Sequence, residues 1–393
     1  MISALGSKTM RSTKPALGDV LLWFATALPL MLATLLIATI LALQPAHADQ
    51  TASESGGDKN PLAKLKKDDL AKIATLLASE TTSDSCGGKD LMAELQKSDP
   101  DKYASIIAAG DKVENGKGIF WKIEKSGLKP SWLLGTMHVS DSRVLTMPKG
   151  ASEAVAAADA IVVESDEILD DKRAAAALFA NPSLTMLTDG STISQHLSPE
   201  DNAKLEAGLK ARGIALAAVS RMQPWLISSS FEMTGCEIRR KTAGAKFLDQ
   251  KLASDAAAEG KQVKGLETLA EQAKAMSDLP ITLHLKSLIQ TLELGDKIND
   301  VNETMTDLYL AGNIGAMIPM LKVIEPDQNI SDDDTAVFEQ RIILDRNKVM
   351  AERAAPILDK GNAFIAVGAL HLAGDQGLVA LLRKQGFTVT AVN

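Results

Sequence analysis

The run Ser131-Trp132-Leu133-Leu134-Gly135-Thr136-Met137-His138 and its later counterpart Ala363-Phe364-Ile365-Ala366-Val367-Gly368-Ala369-Leu370-His371 decide the fold of this chain. In each, an apolar segment of β type ends in Gly-x-x-His and passes into a polar turn. Short apolar runs closed by glycine read as buried strands. A glycine after such a strand lets the backbone turn sharply and lets another group come close, so the histidine three residues on points into a crevice. In open α/β sheets that crevice, beyond the carboxyl ends of the strands, is where ligands bind. The chain has five histidines, and two of them stand at matched strand ends.

Working outward, Gly118-Ile119-Phe120-Trp121-Lys122-Ile123-Glu124 alternates as a half-buried strand does, and a turn through Ser126-Gly127 to Pro130 joins it to the first histidine strand. After Pro148, a helix over 152–158 leads into the strand Ala160-Ile161-Val162-Val163-Glu164. This β-α-β order favours parallel pairing through a right-handed crossover. Residues 171–260 are mainly helical and alanine-rich, with a helix start at Ser198-Pro199-Glu200-Asp201, and read as an insertion over the site. The strand Gln262-Val263-Lys264-Gly265-Leu266 returns the chain to the sheet and ends at Glu267. A helical stretch then runs from about 270 to 353, broken near Pro280, Gly312 and Pro326. The last strands, 363–368 and 387–392, are joined by a helix over 375–385. The class is α/β: a central mixed, largely parallel sheet flanked by helices, filling 116–393. A small helical extension over 61–115 precedes it, with Ser85-Cys86-Gly87-Gly88 as an internal break, and 49–60 reads as a flexible tether.

The amino terminus stands apart. Lys8, Arg11 and Lys14 precede an apolar run from Val20 to Leu43, followed by Ala46-His47-Ala48, which is the charged, apolar and small-residue pattern of a secretory signal over 1–48. At about 24 residues the run is also long enough to span a bilayer, so an uncleaved segment 20–43 would be a membrane anchor. The expected location is periplasmic or secreted. Without the first 48 residues the chain holds 39 Lys plus Arg against 49 Asp plus Glu, an acidic balance with no basic stripe, which argues against nucleic acid as a partner. The 46% hydrophobic content over 393 residues suffices for one large core or two modest ones. Cys86 and Cys236 are an even, sparse pair that suggests one structural disulfide in an oxidising compartment.

A metal site needs two or three nitrogen, sulfur or carboxylate ligands converging from different elements. His138, Glu164 and His371 each lie at or just past a strand end, so one sheet edge gathers a His, His, Glu set suited to zinc, manganese, cobalt or iron. The alternative is that each histidine simply bonds loop carbonyls. Glu267 is a second strand-end carboxylate, either favouring the dipole of the helix that follows or acting as a general base beside Glu164, with the two roles exchangeable. Arg346-Asn347 lies in a helical segment, where arginine offers a planar fork to a carboxylate and asparagine an amide. Either holds a substrate group or an inward glutamate. His284 reads as a packed, hydrogen-bonded helix residue and His196 as a loop residue. There is no His-Glu-x-x-His helix and no Gly-x-Ser-x-Gly elbow.

These residues, together with Val163-Glu164, Gly265-Leu266-Glu267-Thr268, Gln272, Arg346-Asn347 and the run from Val367 through His371 and Gly374 to Gly386-Phe387, resemble the TraB/GumN family, which includes the Tiki-type metalloproteases. The resemblance spans roughly 116–393. It implies a divalent-metal site at the two histidines and an exported metal-dependent hydrolase, a peptidase in particular, acting on a peptide or protein. The pheromone-shutdown relatives imply a second reading, a non-catalytic module that holds a peptide signal, a metal or a haem-like ligand. The name of other relatives implies a third, an accessory factor in exopolysaccharide production.

Overall fold

Six strands assemble in the order β4-β3-β5-β2-β1-β6, where β1 is Phe120–Glu124, β2 Ser131–Thr136, β3 Ala160–Val163, β4 Gln262–Gly265, β5 Ala363–Gly368 and β6 Thr388–Ala391. The computed structural model describes residues 86–324 and 332–392. The signal-like leader, the tether, the first part of the helical extension and Pro326 lie outside the described residues. Pairs β2/β5, β3/β5 and β3/β4 are parallel, and β1 is antiparallel to both β2 and β6. The sheet is therefore mixed and largely parallel, with β1 as its single reversed strand among those described.

The strand order is what builds the site. β5 is late in sequence yet sits between β2 and β3, with Thr136 opposite Gly368 and Val163 opposite Ala366. The turns after β2, β5 and β3 are thereby brought side by side at one sheet edge. The β1–β2 hairpin forms as the sequence suggests, with Gly127 at φ 80° in its turn. The two final strands, by contrast, are not neighbours: β6 pairs with β1, at the far edge from β3 and β4.

Side chains alternate between the two faces of the strands, as a buried parallel sheet requires. Leu133, Val162, Ile365 and Val367 pack on one face with residues of the helices Lys297–Leu310, Asp345–Leu358 and Leu378–Lys384. Leu134, Ile161, Val163, Phe364 and Ala366 pack on the other with the helices Ala151–Ala157 and Leu248–Ala258. A separate core, built around Trp225, Phe231, Leu205, Leu283 and Leu288, holds together the helices between β3 and β4 and those that follow β4.

The described part of the amino-terminal extension forms the helices Leu91–Ser98 and Pro100–Gly110. Asp99 caps the second by accepting from Lys102 N, with Pro100 in its first turn. Met92 and Ile106 enter the same core as Tyr309 and Ala316. Cys86 and Cys236 are disulfide-bonded, with Cα atoms 5.6 Å apart, which ties the start of the described chain to the helix Gly235–Thr242. Among the described residues no helix is long and apolar enough to cross a membrane.

Candidate functional site

His138, Glu164 and His371 meet at the sheet edge, all buried. Nε2 of His138 lies 3.9 Å, and Nε2 of His371 3.8 Å, from the same oxygen, Oε1 of Glu164. That oxygen also accepts the Gly368 backbone N–H at 2.8 Å. Gly368 is required by what surrounds it: a Cβ there would lie 3.1 Å from His138 Nε2 and 3.2 Å from Glu164 Oε1. Gly135 has a different task, since its Cβ would press 3.0 Å from Ala369 Cα in the turn that carries His371.

The ring of His371 is held by Asn347, whose Oδ1 is 2.7 Å from Nδ1 while its Nδ2 donates to the Gln376 carbonyl at 3.0 Å. With the amide nitrogen so engaged, Oδ1 is the acceptor and Nδ1 must carry the hydrogen. Nε2 of a neutral His371 is then a bare lone pair turned toward a carboxylate oxygen. Burial, followed by the charge of Arg346, holds the ring neutral, pushing its pKa down to about 3.

His138 is steadied by a residue to which the sequence drew no attention. Nδ1 is 3.3 Å from Oδ2 of Asp249, and Oδ1 of Asp249 accepts from Thr136 Oγ1 at 2.8 Å. Burial works against a charged His138, but the Asp249 carboxylate outweighs it and raises the ring's pKa. Nε2 of His138 is buried without a hydrogen-bond partner, an unusual condition for a polar atom in an interior.

Glu164 and Glu267 are joined through Arg346, which leads the helix Asp345–Leu358 directly after a widened π-type turn at Glu339–Leu344. Nη2 of Arg346 donates to Glu164 Oε2 at 2.7 Å and to Glu267 Oε2 at 2.8 Å, and Nε reaches both Glu267 oxygens at 3.1 Å. Gln272 Nε2 bridges the same two carboxylates at 3.0 and 3.2 Å. Burial alone would raise the Glu164 pKa, but the Arg346 charge more than offsets it and holds the group near 2. The bridging geometry that arginine and glutamate types suggested is thus present. Glu267, one residue before the Thr268 cap of the next helix, meets the site through Arg346 and Gln272. His284 is buried and bonded to the Met276 carbonyl at 2.9 Å, and His196 contacts Ser191 at the surface, both away from this edge.

A sequence model of the TraB/PrgY/gumN family matches residues 119–391. The chain belongs to that family. It is 24% identical to a "Metalloprotease TIKI homolog" of Nematostella vectensis, over 71% of this chain and 68% of that protein. It is 25% identical to "Metalloprotease TIKI1" and 26% identical to "Metalloprotease TIKI2" of Danio rerio, each over 68% of this chain, and spans 62% and 60% of their lengths. No solved structure matches. In this TraB/PrgY/gumN chain the two Gly-x-x-His units, Glu164, Glu267 and the Arg346-Asn347 pair all lie within the matched region.

The donor set suits a cation in its chemistry. Three buried carboxyl groups, Glu164, Glu267 and Asp249, face one guanidinium, Arg346, and the His138 ring, whose pKa Asp249 raises. Buried charge left uncompensated is costly. The side chains do not form a ready-made cluster: among the described residues no group of three or more His, Cys, Asp or Glu is placed to hold a metal ion. The 3.8 and 3.9 Å nitrogen-to-oxygen edges exceed the roughly 3.4 Å edge of a tetrahedral site with bonds of about 2.1 Å.

His138 also lines a small cavity of about 40 Å³ together with Met137, Glu232, Met233, Asn302 and Cys86. Burial raises the Glu232 pKa to about 8. Because the folded-state value lies above that of the unfolded chain, this group supports folding fully below about pH 4.5 and that support is lost as pH rises through 8. Glu232→Gln should therefore raise stability at pH 8.5, by up to about 4 kcal/mol, and change little at pH 4.5. Urea unfolding at the two pH values measures the difference, and an equal effect at both would contradict it.

Proposed function

We propose that this chain is an exported metal-dependent hydrolase acting on peptide bonds, with His138, Glu164 and His371 as the residues that hold the ion. The observation that carries the reading is the pair of Nε2 atoms facing one carboxylate oxygen, one of them a bare lone pair and the other buried without a partner. Two acceptors facing each other across an interior gap repel unless a cation or a proton lies between them. When bound, a divalent ion supplies Lewis acidity and lowers the pKa of water.

The chain's own residues then divide the work. Asn347 fixes the His371 tautomer that leaves Nε2 free, and Asp249, seated by Thr136, orients His138. A carboxylate held near pKa 2 is a poor proton acceptor at neutral pH and a good permanent anion, so Glu164 serves as a ligand. Glu267 holds Arg346, and through it the orientation of Glu164. The small cavity beside His138 marks the side from which a substrate group would reach the edge. The leader-like residues 1–48 and the Cys86–Cys236 bridge support export. The names of the relatives support the peptidase class.

The test is metal analysis of the purified full chain combined with cleavage of a peptide library, with and without chelator. Near-stoichiometric divalent metal and chelator-sensitive cleavage are the expected results. Metal without cleavage of any peptide would point to a binding module, and absence of metal from protein purified without chelator would overturn the proposal.

A further inference from the structure

Glu232 is the last residue of the helix Pro224–Glu232, every residue of which is buried. Oε1 of Glu232 has no hydrogen-bond partner. In the same wall Oε2 of Glu237 and Nε2 of His138 are also buried without a hydrogen-bond partner. Arg212 donates to the Ser230 carbonyl and, at 3.2 Å, to that of Phe231, and Asn302 Nδ2 approaches the Glu232 backbone carbonyl at 3.4 Å. Elsewhere in the cavity wall, Asp141 and Glu303 are both taken by Arg143, at distances of 2.7 to 3.0 Å. Oε1 of Glu237 accepts from both the backbone and hydroxyl of Ser140 at 2.9 Å. Arg240 stands between Glu237 and Asp141 at 3.7 and 3.8 Å. Glu237 keeps Arg240 near its second oxygen, whereas Oε1 of Glu232 has neither a hydrogen-bond partner nor an ion-paired cation among the described residues, and Glu232 sits at the negative end of a helix.

Both features call for a cation. The remaining wall restricts which one. Met137, Val139, Met233 and Cys86 give the cavity an apolar portion beside Thr234, Thr306 and Asn302, which suits an unbranched carbon chain. A guanidinium brings five donors and needs several free acceptors, whereas a bare metal ion needs a shell of oxygen ligands; one free carboxyl matches neither. A compact ammonium on an aliphatic stem matches both the acid and the apolar wall.

We propose that the cavity beside His138 is a subsite for a primary ammonium group, with Glu232 as its counter-ion and the methionine walls around the chain that carries it. Its position next to the reacting edge rests on the hydrolase reading, and it makes a lysine side chain or a free amino terminus the specificity element of the substrate. A lysine ammonium, with a pKa near 10.4, keeps its proton beside a carboxyl titrating at about 8, so that bound pair is ionic; an amino terminus, at about 7.7–8.0, is closely matched to the carboxyl and pairs more weakly.

The subsite is testable without turnover. Nα-acetyl-lysine methylamide, leucine methylamide with its free amine, and the neutral Nα-acetyl-norleucine methylamide are titrated calorimetrically into the full chain, with and without chelator. At least one amine should bind roughly tenfold or more tightly than the norleucine compound, the scale of one charge-assisted hydrogen bond, and which amine wins distinguishes side chain from terminus. Glu232→Gln should erase the preference, and Glu232→Asp should retain part of it. Circular dichroism of both variants confirms their fold. Equal binding of amine and norleucine compounds, no measurable binding of either amine, or an undiminished preference in Glu232→Gln overturns the proposal. Amine binding by a protein that neither holds metal nor cleaves peptides leaves the subsite standing and removes the hydrolase reading; cleavage with no amine preference does the reverse.

Discussion

Arg346→Met is expected to destabilise the fold by about 3–5 kcal/mol, the scale for removing one partner from a buried ionic network. The guanidinium is the one charge bridging Glu164 and Glu267 among the described residues, and its loss leaves two buried carboxylates with Gln272 as their shared neutral donor. Arg346→Lys should recover little, because a single ammonium cannot span both carboxylates with the geometry of a planar fork. Combining Arg346→Met with Glu164→Gln and Glu267→Gln should restore much of the stability, since the charges that needed compensation are gone. The wild-type pH profile has a defined sign. The folded-state pKa of Glu164, near 2, lies below that of the unfolded chain, so its contribution is present above about pH 4.5 and lost as pH falls toward 2. That acid-side loss should vanish in Arg346→Met. Urea midpoints from pH 3 to 7 check each statement, and an Arg346→Met protein within about 1 kcal/mol of wild type would show that the network carries little of the stability.

The edge that gathers these groups was legible in the sequence because its strands announce their own ends. Glycine after an apolar run marks where a strand stops, and the histidine spacing beyond Gly135 and Gly368 is the same. Strand order was not legible. Nothing in Ala363–Gly368 specifies that it inserts between β2 and β3, which is decided by which apolar faces the flanking helices cover. Nor did the final strands have to be separated; β6 reaches β1 because the hairpin leaves that edge open. Asp249 was missed for a local reason. An aspartate in the first turn of the helix Leu248–Ala258 looks like any carboxylate placed for the helix dipole, and only tertiary structure turns it toward His138. Glu232 did carry a signal: it closes the otherwise uncharged helix Pro224–Glu232, which contains tryptophan, leucine, isoleucine and phenylalanine. A lone acid at the end of such a segment is either paired or waiting for a partner.

His138→Ala and His371→Ala are each expected to abolish chelator-sensitive hydrolysis and to lower bound metal, while the circular dichroism spectrum stays close to that of wild type. Each deletes one of the two nitrogen donors that face Glu164 Oε1, and neither ring makes a hydrogen bond on which a strand or helix depends. Asp249→Asn separates ligation from orientation. It keeps the shape of the side chain and its contact with Thr136 but removes the charge beside His138 Nδ1, so activity or metal affinity should fall by about 10- to 100-fold without being abolished. Asn347→Ala should act similarly on His371, because an imidazole free to change tautomer no longer presents a fixed lone pair. His284→Ala, which loses a bond to Met276 in the helical core, should alter stability and leave metal content per folded molecule unchanged. Full metal occupancy in the double variant His138→Ala with His371→Ala would place the ion elsewhere. The two facing nitrogens would then have to be explained by a proton shared with Glu164, and the edge would act as a buried acid–base pair.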